Sequence, residues 1–220
     1  MSNAGHTPEH ILARAEEYVQ ELYSQYHQPY LTYHNLIHAT DVAKHTRQLC
    51  SWHAINRLET SILVAAAWFH DVGHLFTDPE NHEAKSAAMM VEFFEEQLDK
   101  DIIAEVQNCI MATKSPVHPK NLLEEIICDA DTYHVGTHDF WNINCTVWME
   151  EEARRGYSIP DWKKRTIAFL ETHYFFTEYC NTHLAAGKRV NLKKLHEISD
   201  DSSCTPWHPD HPPATKENPG

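Results

Sequence analysis

The chain has 220 residues, of which 42% are hydrophobic, 10% aromatic and 23% charged, enough apolar side chain to bury a core and too much for a disordered segment. A formal net charge of −14 makes the average surface repel phosphate backbones, so a long nucleic acid is not an expected partner. The strongest apolar run, Ile62 to Phe69, falls far short of the roughly 20 residues that cross a bilayer, so a soluble, cytoplasmic protein with no membrane partner is expected.

The chain reads as an all-α protein in a single domain over 7–200. It is flanked by a disordered start over 1–6, similar to a tag scar, and by a flexible His- and Pro-rich tail over 201–220. Thr7-Pro8 starts a first amphipathic helix through Ile11, Leu12, Ala15, Tyr18, Val19, Leu22 and Tyr23. A second is expected from Tyr33 to His53, with Leu36, Ile37, Val42 and Leu49 facing inward. Glu59 to His74 carries the apolar run and predicts a helix buried nearly all round. Further helices are expected from Asp78-Pro79 through Phe94, over Ile102 to Ala112, from Leu122 to about His134, around Val147 to Arg155, and from Trp162 to Ala186 with Gly187 as the stop.

Six cysteines, at positions 50, 109, 128, 145, 180 and 204, form no C-x-x-C pair, which suits reduced thiols rather than a zinc knuckle. Eighteen histidines, by contrast, direct attention to metal ligands. In Tyr33-His34-Asn35-Leu36-Ile37-His38, two histidines four apart share one face if both lie on a helix. In Trp68-Phe69-His70-Asp71-Val72-Gly73-His74, an apolar helix ends in a His-Asp pair. A buried carboxylate without a cation is expensive, so a metal is the partner that pair calls for. Ile126-Ile127-Cys128-Asp129-Ala130-Asp131 repeats the device and leaves two acids as candidates. The basic pairs Lys163-Lys164 and Lys188-Arg189 are short, and fit solvated helix faces or the phosphate of a small substrate.

A histidine, then His-Asp after an apolar helix, then an aspartate after a second apolar run, resembles the HD superfamily of metal-dependent phosphohydrolases over about residues 30–191. The resemblance implies an all-α helical bundle with a buried metal site and the ligands His38, His70, Asp71 and Asp131, placing the second acid of Asp-Ala-Asp in the last position. The segment Tyr-His-Asn-x-x-His-Ala-x-Asp-Val is similar to the signature of class I cyclic-nucleotide phosphodiesterases, which implies that His34 protonates the leaving oxygen. His74 is the other candidate acid. Glu80 to Ala87 and Ala112 to Gly136 resemble small bacterial HD proteins. That resemblance places His82 or Glu83 beside the metal, with Glu83 positioning water or holding a second ion such as Mg; an exposed acid in a helix first turn is the other reading of Glu83. Lys114 and His82 are the candidate substrate contacts. The expected metal is Mn, Fe, Ni, Zn or Co, and the expected substrate is a small phosphorylated molecule, a nucleotide first. A homodimer stays open. The rival functions are a nucleotide-binding signalling module with little turnover and an HD-fold di-iron oxygenase.

Overall fold

The computed structural model describes residues 7–198, so the expectations for the first six residues and for the tail over 201–220 lie outside the described residues. Every regular element among the described residues is helical, as expected of an all-α chain. The chain forms two compact units. One consists of His34–Asp131 with the chain up to Gln28, the other of Pro29–Tyr33 with the chain from Thr132 onward.

In the first unit, α1 (Pro8–Leu12) and α2 (Arg14–Gln25) stand where one helix was expected, separated at Ala13. They bury Leu12, Ala15, Val19, Leu22 and Tyr23. Helix α3 (Leu36–Trp52) begins later than the apolar pattern suggests. The Asn35 side chain accepts the N–H groups of Ile37 (2.9 Å) and His38 (3.4 Å), and this cap fixes the first turn. His34 therefore precedes the helix rather than riding on it. Ile37, expected inside, is 73% exposed, while Val42 and Leu49 are buried.

Helix α4 (Arg57–Phe69) starts at an Asn56 cap and is the centre of this unit, with Ile62, Leu63, Ala65, Ala66, Ala67, Trp68 and Phe69 buried. Helices α3, α6 (Lys100–Ala112) and α7 (Leu122–Asp131) pack on it, and α5 (His82–Phe94) packs on α6. After α4 the chain tightens into a 3-10 turn at Val72–Leu75. Gly73 is required there, because a Cβ would lie 2.1 Å from the backbone oxygen of His82. The Gly73 N–H donates to Ser86 Oγ at 2.8 Å, tying the turn to α5.

The second unit contains a 3-10 turn at Tyr133–Gly136, then α8 (Phe140–Arg155), α9 (Trp162–Thr172), α10 (Glu178–His183) and α11 (Ala185–Glu197). The single helix expected from Trp162 is broken between Thr172 and Glu178. There Thr177 caps α10 by accepting from Cys180 N, and Asn181 donates to the carbonyls of Phe175 and Thr177. Gly187 does not stop a helix. It lies inside α11, where a Cβ would meet the Gly136 oxygen at 1.9 Å, so close packing on the 3-10 turn selects glycine.

Candidate metal centre

The end of α4, the 3-10 turn behind it, the start of α3 and the end of α7 bring four side chains together inside the first unit. His38 lies on the first turn of α3 and is buried. His70 caps α4, Asp71 follows it, and Asp131 is the last residue of α7. His38 Nε2 lies 3.2 Å from Asp71 Oδ2 and 3.2 Å from Asp131 Oδ1. His70 Nε2 lies 3.2 Å from Asp71 Oδ2, 3.6 Å from Asp131 Oδ1 and 3.2 Å from His38 Nε2. Asp131 thus meets both histidines, and Asp129 is wholly buried two residues before it.

His70 Nδ1 is 2.8 Å from the Ala67 carbonyl, which only accepts, so Nδ1 carries the proton. A neutral His70 consequently points the Nε2 lone pair at two carboxylate oxygens and a second imidazole nitrogen. Lone pairs do not converge in a buried site without positive charge between them. The charge is a proton or a metal ion. Burial alone lowers the basicity of His38, but its bonds to Asp131 and Asp71 hold it above the ordinary histidine value. Burial likewise opposes a charged His70, and the Asp71 charge lifts it well above that value. Asp71 is disfavoured as an anion by burial and is nevertheless held well below the usual carboxylate range, first by the charge of His70. Burial also opposes ionisation of Asp131, and bonds to His38 and His70 hold it low. With its protons displaced, the cluster presents two imidazole nitrogens and two carboxylates at separations suited to one divalent ion.

The other residues singled out in the sequence border this cluster on the Asp71 Oδ1 side. His82 Nε2 lies 3.3 Å and His74 Nε2 3.9 Å from Oδ1. The His34 ring stacks at 4.0 Å on His74, and His74 at 3.9 Å on His82. His34 and His38 rings are 6.0 Å apart although His34 is outside the helix. Glu83 is 5% exposed, so it is not a solvated first-turn acid. Its Oε2 stands 3.5 Å from His82 Nδ1 and 3.8 Å from Lys114 Nζ. That puts Glu83 on the far edge of the His82 ring from Asp71. Lys114 also donates to the Glu80 carbonyl at 3.3 Å.

Two contributors were not anticipated from the sequence. The backbone oxygens of Ala67 and Pro79 set the proton position on His70 and His82, and a carbonyl leaves no mark in residue identity. Gly73 lets the His82 backbone approach; a glycine directly after His-Asp-Val was the available signal.

Residues 35–136 match the family model of the HD domain. The chain is an HD-domain protein. The matched segment of this HD domain contains His38, His70, Asp71 and Asp131 as well as His74, His82, Glu83 and Lys114, and begins one residue after His34. The superfamily is one of metal-dependent phosphohydrolases that bind divalent ions, and the His/Asp clusters of this chain are of a kind that can hold one. No curated protein and no solved structure gives a significant match to the chain. No helix among the described residues is long and apolar enough to cross a membrane.

Proposed function

We propose that this HD domain hydrolyses a phosphoester of a small nucleotide, using a divalent ion held by His38, His70, Asp71 and Asp131. The observation that carries the reading is the convergence of the His70 Nε2 lone pair with Asp71 and Asp131 oxygens at 3.2 and 3.6 Å, fixed by the Nδ1 bond to Ala67. Such a set is assembled for a cation. A bound divalent ion lowers the pKa of a coordinated water and neutralises charge on a phosphoryl oxygen. The mixed nitrogen and oxygen donors suit Mn, Fe, Ni, Zn or Co.

The protein's own groups do the rest. Ala67 keeps His70 in the tautomer that offers Nε2, and the cap at Asn35 sets the helix turn that carries His38. Lys114, 45% exposed at its side chain and paired with Glu83, is the cation at the rim suited to a substrate phosphate. The acidic chain repels long polyanions, which favours a mononucleotide-sized substrate over nucleic acid.

Metal-loaded protein is to be incubated with nucleoside mono-, di- and triphosphates, cyclic nucleotides and bis(p-nitrophenyl) phosphate. The expected result is turnover of at least one, abolished by chelation and restored by one of the five metals. Metal bound at His38 and His70 with no turnover across the panel would overturn hydrolysis and leave a nucleotide-binding module.

A further inference from the structure

Asp71 turns only one of its oxygens to the cluster just described. The other, Oδ1, faces a separate set of imidazoles contributed by three places in the chain: the approach to α3, the 3-10 turn and the first residue of α5. The donor atoms of His34, Asp71 and His74 all lie within 4.8 Å of one another, with Asp71 and His74 buried and His34 half-buried. His82 Nδ1 is 2.6 Å from the Pro79 carbonyl and so carries the ring proton when the ring is neutral. Its Nε2 lone pair then points at Asp71 Oδ1, 3.3 Å away. This repeats, on the second oxygen, the arrangement His70 makes on the first. A carboxylate oxygen and an imidazole lone pair hold that separation with a cation between them. The approach is also built into the backbone, since only glycine at position 73 leaves room for the His82 carbonyl.

We infer that His34, His74 and Asp71 Oδ1 form a second cation site, with Asp71 bridging the two ions, and with His82 closing it by sharing the Asp71 oxygen and packing its ring on His74. The inference rests on the proposed metal-dependent hydrolase, whose ion lies on Asp71 Oδ2. The imidazole donors select a borderline transition-metal ion over Mg, which prefers oxygen donors and retained waters. In this arrangement His34 is a ligand, so it does not serve as the proton donor to the leaving oxygen.

The test is a metal count on the full chain, stripped with chelator, dialysed against Co(II) and measured by plasma mass spectrometry. Two equivalents per chain are expected, falling to one in His74→Gln and in His34→Gln, with circular dichroism unchanged. One equivalent in the wild type would overturn the second site and leave the first reading intact; none would overturn both. Two equivalents retained in His74→Gln would place the second ion elsewhere and overturn the assignment. Should the variants fail to fold, Mn(II) electron paramagnetic resonance on the wild type decides. An exchange-coupled signal from two ions sharing a carboxylate supports the site, and uncoupled Mn(II) alone contradicts it.

Discussion

The two compact units bury polar side chains in opposite ways. In the second, each buried polar group shown here meets a partner of complementary kind. Glu150 accepts from Tyr33 N–H at 2.9 Å and from Arg154 Nε at 3.0 Å, and Asn191 donates to the Val135 and Thr137 carbonyls at 3.0 and 2.8 Å. Thr166 accepts from Trp148 Nε1 at 2.8 Å and donates to Asn144 at 3.3 Å. In the first unit, His38, His70, Asp71 and Asp131 aim acceptors at acceptors. A donor matched to an acceptor needs nothing further, and that is structure. Acceptors converging on one point require a cation, and that is a site.

The sharpest way to break this comparison is to remove the carboxylate common to both histidine sets. Asp71→Ala should lose bound metal and all turnover. Because it leaves charged His70 and His38 buried beside one fewer anion, the metal-free variant should also lose about 3–5 kcal/mol of stability in denaturant titration. An Asp71→Ala protein with wild-type metal content and stability would place the site elsewhere. The counterpart in the second unit is Asn191→Ala, which strips two carbonyls of their donor. It should cost about 1–3 kcal/mol while leaving metal content unchanged. Metal loss in that variant would contradict the purely structural role of its partners.

A smaller effect separates proton from metal as the charge in the centre. His38 and His70 are raised above 6.5 in the folded state, so their contribution is fully present below about that pH and is lost as the pH rises through the raised values. Asp71 is lowered from 3.8, so its contribution is present above that value and is lost as the pH falls through the lowered one. Metal-stripped protein should therefore melt at progressively lower temperature as the pH rises above about 6.5. Metal-loaded protein should not, because the ion takes the place of the protons. Parallel melting curves for the two forms across that range would contradict a shared centre.

The first set of site residues was legible in the sequence because its signals are local. The apolar run Ile62 to Phe69 ending in His-Asp, and Ile126-Ile127 leading to Asp-Ala-Asp, place acids directly behind buried helix. The all-α character was legible for the same reason. The helix boundary at Asn35 was less so, since a cap competes with an apolar pattern that runs on to either side of it. Gly187 read as a stop because helix propensity is a local quantity, whereas its place inside α11 follows from the Gly136 backbone against it. The position of His82 on Asp71 depends on Gly73 and on the Pro79 carbonyl, contacts that spacing alone does not specify.

The most direct test of the central claim is the metal content of wild type and His70→Ala, purified side by side and measured by plasma mass spectrometry. His70 is wholly buried, its Nδ1 is committed to Ala67, and its Nε2 has no other visible use than the cluster with Asp71, Asp131 and His38. The account predicts at least one equivalent of a transition metal in the wild type and an emptied primary site in His70→Ala, with the total reduced accordingly. A His70→Ala protein that keeps the full wild-type metal content would contradict it.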